Sequence, residues 1–124
     1  MLKVNYLIII LYLVIFNSCS KNEKEISTIK ELSQDLEMVK VYEEAYTALN
    51  DGDPYFAATK FLEAELLFPQ SEWAPRSALM AAYSFYLQNF YAKATSNLER
   101  FLKTYPTDEN LAYAHYLMAM CYYE

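Results

Sequence analysis

Apolar and polar positions follow two regimes along this chain. From Tyr6 to Phe16 eleven apolar residues run without a break, and polar and charged residues begin directly afterwards. Beyond about residue 35 the apolar positions recur every three or four residues, the period of helices with one buried face. Breakers divide that region. A first helix is expected from Asp35 to Asp51, stopping at Gly52, the chain's only glycine, which suits a left-handed C-terminal cap. Thr28 with Glu31 forms a capping-box pattern that would carry this helix backward. Pro54 opens a second helix to Phe68, ended by Pro69, and Pro75 opens a third to Gln88. A fourth is expected from Ala92 to Tyr105, ended by Pro106. Thr107 or Asp108 then caps a fifth that runs to Glu124. All four prolines fall at helix boundaries, and the fold class predicted is all-α.

These helices repeat. Shifting the chain by 37 residues superposes Ala45 on Ala82 and Ala119, Tyr46 on Tyr83, Ala57 on Ala94, Phe61 on Leu98, Phe68 on Tyr105 and Pro69 on Pro106. Each unit is a helix-turn-helix pair, and the third holds only its first helix. The pattern resembles the tetratricopeptide repeat: Ala57, Phe61 and Ala64 occupy the small–aromatic–small positions of a second helix, and Ala45 the small position of a first. In the second unit Ala82, Ala94 and Leu98 repeat the scheme, with Phe101 where a small residue is usual. The resemblance implies a helix-turn-helix array of about two and a half repeats, stabilised by burial between neighbours. The fifth helix has no partner after Glu124, so the chain is expected to be the N-terminal part of something longer.

The apolar run at the start is too short to span a membrane, which takes about 20 residues. Eleven residues behind Lys3 match the apolar core of an export signal. The stretch Phe16-Asn17-Ser18-Cys19 resembles a bacterial lipobox, although its first two residues depart from the commonest form. That resemblance implies a signal peptide at 1–18, a lipidated Cys19 with a spacer at 19–34, and a repeat domain at 35–124. A covalent lipid on Cys19 is then the only attached group expected, with no other cofactor. Two or more acyl chains hold a protein to a bilayer stably, and Ser20 rather than Asp after the cysteine points to the outer membrane by the lipoprotein rule. Cys121, left alone, is expected to serve as a small buried hydrophobe.

Charge and composition narrow the function. Without Lys3 the chain carries nine bases against sixteen acids, and no clustered basic face marks a nucleic-acid footprint. His115, the only histidine, is expected to pack within the apolar fifth helix. Glu43–Glu44 and Glu63/Glu65 have the pattern of solvated helix faces. No spacing suits a metal, and one glycine cannot build a phosphate loop, so the reading is not an enzyme. The thirteen tyrosines are the unusual feature. Repeat arrays of this kind line their concave face with the first helix of each unit. Mapped that way, Tyr42, Tyr46, Arg76, Tyr83, Tyr86, Tyr113 and Tyr116 form a candidate peptide-binding groove, joined by Leu49, Leu79, Met120 and Tyr123. Tyrosine offers a large contact area with few rotors to freeze, and Arg76 suits a carboxylate. Packing between helices is the alternative role for each ring. Trp73, between units, is expected to plug the joint.

With a lipobox, a short charged spacer, and the segments "FPQSEWAPRSALMAAYSFY" and "LERFLKTYPTDENLAYAHYLMAMCYYE", the chain resembles the BamD family of outer membrane protein assembly factors. Asp108-Glu109 stands where that family commonly has a His-Pro pair. The resemblance implies a lipid-anchored protein on the periplasmic face of the outer membrane, within the β-barrel assembly (BAM) complex. It implies contact with the POTRA domains of a BamA-type barrel subunit and with other BAM lipoproteins, mainly through repeats absent here. It also implies reception of unfolded outer-membrane proteins by their C-terminal signal, with no nucleic acid involved. Scaffolding of another envelope machine, such as one for pilus biogenesis, and a soluble adaptor are the competing readings.

Overall fold

The computed structural model describes residues 23–124; Cys19 and the apolar run before it lie outside the described residues. Five helices follow one another: α1 (Glu23–Asn50), α2 (Pro54–Leu67), α3 (Trp73–Leu87), α4 (Tyr91–Thr104) and α5 (Leu111–Tyr123). Among the described residues there is no strand. The first helix starts twelve residues before Asp35, within the expected spacer, in the direction that Thr28 and Glu31 suggested. The third starts at Trp73 rather than Pro75, which places the proline in the first turn, where its missing N–H costs nothing.

The turns obey the same 37-residue period as the sequence, down to individual hydrogen bonds. At the end of α1, Gly52 has φ +85°. Its N–H donates to the Leu49 carbonyl (3.3 Å), and the Asp53 N–H to that of Ala48 (2.9 Å). This pair of bonds is the Schellman cap. At the end of α3, Asn89 has φ +58°, and the N–H groups of Asn89 and Phe90 donate to Tyr86 (2.9 Å) and Phe85 (3.0 Å). Asn89 is Gly52 moved by one repeat. Between repeats, the Ser71 hydroxyl accepts from the Trp73 N–H (3.2 Å), and the Asp108 carboxylate accepts from the Asn110 N–H (2.8 Å). The side chains differ but the turn is the same. Asp53 caps α2 by accepting from the Phe56 N–H (3.0 Å).

The unit Ser33–Glu124 holds two joined cores. The first contains Ala45 of α1, Ala57 and Phe61 of α2, and Ala81 of α3. The second contains Ala58, then Ala78, Leu79, Ala82 and Phe85 of α3, Ala94, Leu98 and Phe101 of α4, and Ala114, Leu117 and Cys121 of α5. Leu62 packs against both. Every small or aromatic framework position of the first two units (Ala45, Ala57, Phe61, Ala64, Ala82, Ala94, Leu98, Phe101) is completely buried. Alanines let the helix axes approach, and the bulkier side chains fill what remains. Each of Phe61 and Phe101 stabilises the fold by about 1.5–3 kcal/mol through apolar burial. Ala119, the third member of the small series, is exposed.

Candidate functional site

The first helices of the three units, α1, α3 and α5, carry all seven candidate groove residues. The structure sorts them into two groups. In the first, Tyr42 is half-buried and meets Phe61 and Trp73 edge-on, with both ring centroids 5.1 Å away. Its rings are therefore part of the inter-helix packing, the role left open for every tyrosine. Burial pushes the Tyr42 phenol up, opposed by the Arg76 charge and reinforced by Tyr46. Trp73 bridges the joint as expected and carries the exposed Arg76 guanidinium over its ring at 5.0 Å. Tyr46 is 50% exposed. A cleft of about 160 Å³ lies at this end, lined by Glu72, Trp73 and Arg76. A ligand carboxylate reaching Arg76 there would meet the Glu72 charge as well.

The second group joins α3 to α5. Tyr83 and Tyr86 are partly buried against the second core. Burial raises the Tyr113 phenol, and Tyr83, Tyr116 and Tyr86 add to the shift, so these four hydroxyls are electrostatic neighbours. Tyr86 is also raised, by loss of hydration first and then by Glu124, Tyr91 and others. The Tyr113 and Tyr116 rings lie 6.3 Å apart, and the Tyr86 and Tyr91 rings 5.8 Å. Raised phenols remain protonated at neutral pH and so remain hydrogen-bond donors. Tyr113 and Tyr116 are 42% and 60% exposed. This second group is a cluster of phenols, while the guanidinium of Arg76 belongs to the first. It offers shape, apolar area and O–H donors.

One expected groove member belongs elsewhere, and one expected packing residue is exposed. Leu79 is buried in the second core, because its neighbours Ala78 and Ala82 turn that side of α3 inward. His115 is exposed rather than packed, since Ala114 and Leu117 set the buried face of α5 and His115 falls beside it. Cys121 is a free, buried thiol. Burial pushes it up, and a hydrogen bond with Thr95 opposes this in part.

Glu65 is the main residue that sequence reasoning misplaced. It is not on a solvated face: only 5% of it is exposed. Arg100 of α4 donates to both its carboxylate oxygens, at 2.5 and 2.6 Å, and the Tyr105 hydroxyl donates at 2.9 Å. The three residues tie the second helix of one repeat to the second helix of the next. Burial, then the bond to Glu65, pushes the Tyr105 phenol up to about 12. The only sequence signal was the apolar company of Glu65, between Ala64 and Leu66.

Comparison with known proteins follows the same architecture. The family described as YfiO, outer membrane lipoprotein, matches residues 34–124. The chain is similar to the outer membrane protein assembly factor BamD of Caulobacter vibrioides, 39% identical over 84 residues, which is 68% of this chain and 28% of that protein. It is similar to BamD of Neisseria gonorrhoeae, 36% identical over 91 residues, 73% of this chain and 34% of that protein. BamD of Rickettsia prowazekii is 34% identical over 83 residues, 67% and 33% of the two chains. The chain thus spans about a third of the length of these relatives. No solved structure matches it.

Proposed function

This chain belongs to the YfiO family of outer membrane lipoproteins, and from that premise we propose that it is the receiving end of an outer-membrane assembly factor. In this reading a lipid on Cys19 anchors the protein at the periplasmic face of the outer membrane. The full-length protein works within the β-barrel assembly complex, beside a BamA-type subunit bound through its POTRA domains. Other BAM lipoproteins join mainly through repeats beyond residue 124. The role is non-catalytic: the repeats present here bind unfolded barrel precursors by a C-terminal peptide that ends in an aromatic residue.

The observation that carries this reading is the placement of the tyrosines. Tyr46, Tyr83, Tyr86, Tyr113 and Tyr116 stand on the first helices of successive units, while Ala45, Ala82 and Ala114 of the same helices are buried. An extended peptide laid across them meets ring faces and phenol donors in series, and its terminal carboxylate has Arg76 as a partner.

Binding of a fluorescent peptide ending in Phe to the full-length protein tests this. Tyr83→Ala and Arg76→Ala should each weaken it about tenfold, the loss of one good anchor, and Glu72→Gln should tighten it. Unchanged affinity in both alanine variants would remove the groove from the account. The anchor is tested separately: labelled palmitate should enter the wild type and not Cys19→Ala.

A further inference from the structure

A second exposed cluster lies where the start of α2 meets the turn between α3 and α4. Tyr55 and Phe56 of α2 are 47% and 41% exposed, and Leu87 at the end of α3 and Phe90 in that turn are 45% and 41% exposed. The Tyr55 and Phe90 rings meet edge-on at 6.1 Å. The Lys93 ammonium sits over three rings at once: Tyr55 at 5.4 Å, Phe90 at 5.4 Å and Phe85 at 5.5 Å. Of these rings only Phe85 belongs to the buried core.

The two lysines at this cluster differ in their partners. Lys60, over the neighbouring Phe56 ring at 5.8 Å, is neutralised by Glu44 at 3.4 Å and Glu63 at 3.0 Å. Arg100 is neutralised by Glu65. Lys93 has no such carboxylate among the described residues, and Asp53, two residues before Tyr55, is occupied in capping α2. Ring faces attract the cation but accept none of its N–H donors in the way a carboxylate does. The ring edges, by contrast, carry partial positive charge. An exposed lysine with unused donors, framed by exposed aromatic and aliphatic side chains, has the composition of an interface hot spot seeking a negative, apolar partner.

We propose that Tyr55, Phe56, Leu87, Phe90 and Lys93 form a second docking surface, for an acidic, aromatic-bearing segment of another protein. A carboxylate of the segment binds Lys93, and its rings pack against Tyr55 and Phe90. The surface uses none of the side chains assigned to the precursor groove.

The test uses the full-length lipoprotein in detergent and a labelled octapeptide, Glu-Glu-Phe-Ser-Glu-Phe-Glu-Glu, with its Gln-for-Glu counterpart. The acidic peptide should bind, and the Gln version should bind about tenfold more weakly. Lys93→Glu should lose about tenfold or more, Lys93→Arg should retain affinity, and Tyr83→Ala in the groove should change nothing. Because Lys93 is exposed, these variants should melt with the wild type; Phe90→Leu, which keeps an apolar side chain, checks the ring contribution should Lys93→Glu prove unstable. Three results would each overturn the proposal. One is equal binding of both peptides. Another is affinity lost in Tyr83→Ala but kept in Lys93→Glu. The last is a Lys93→Glu defect seen only in sedimentation with phosphatidylglycerol vesicles, which would make the surface a lipid contact.

Discussion

Removing Arg100 while leaving Glu65 in place isolates the ion pair that, among the described residues, links successive repeats. Glu65 is almost fully enclosed, and its two carboxylate oxygens take two short charge-assisted bonds from Arg100 and one from Tyr105. In Arg100→Met the carboxylate keeps only the phenol. Stripping a partner from a fully buried pair costs about 3–5 kcal/mol. The Arg100 side chain, however, is 41% exposed, so water enters the space it leaves and rehydrates one oxygen. The expected loss is therefore about 2 kcal/mol, near that of a hydrogen bond to a charged group. Glu65→Leu should cost less than Arg100→Met, because an apolar residue is at home between Ala64 and Leu66. The double variant should cost less than the two single losses together, with a coupling of about 1–2 kcal/mol. Urea unfolding followed by far-UV circular dichroism, with all four proteins in one buffer, measures each term. A coupling near zero, with Arg100→Met within about 0.5 kcal/mol of wild type, would refute the reasoning. The pair would then be screened like an ordinary surface salt bridge.

Three further outcomes follow from the same fold. Gly52→Ala should destabilise by about 1 kcal/mol through its positive φ alone, since a Cβ there meets nothing within 4 Å. Asn89→Gly, at the equivalent turn, should be neutral or slightly stabilising, and thermal melts compare the two. The Tyr105 phenol, raised to about 12 from 10.0, contributes stability that is complete below about pH 10 and lost as pH rises toward 12. Tyr105→Phe should flatten that part of the pH–stability curve. Cys121, buried with its thiol pushed up, should react with a thiol reagent far more slowly in the folded protein than in urea. Fast native reaction would mean that the α4–α5 contact opens readily.

The repeat framework was legible because it depends on spacing, which a sequence displays directly. Ala45, Ala82, Ala94 and Leu98 are all completely buried where the 37-residue offset put them. The turns were legible only where the residue was distinctive. Gly52 announced its left-handed conformation; Asn89 adopts the same conformation without looking like a breaker, because asparagine tolerates it at small cost. Glu65 failed for a different reason. Its partner lies 35 residues away, and only the packing of both α2 and α4 against α3 brings the two together. The orientation of the tyrosines was half legible. Helix periodicity placed them on the first helices of the units, but a tyrosine on a first helix can face a neighbour or face outward, and the local crossing decides. Tyr42 turned toward Phe61 and Trp73, while Tyr116 turned out.

The central claim is that this chain opens a lipoprotein of the outer-membrane assembly machinery. Its most direct test is affinity purification of the tagged full-length protein from detergent-solubilised envelopes, with partners identified by mass spectrometry. The account predicts a BamA-type barrel subunit in stoichiometric amount. Recovery of a pilus secretin or another envelope complex in its place, with no barrel subunit, would contradict it.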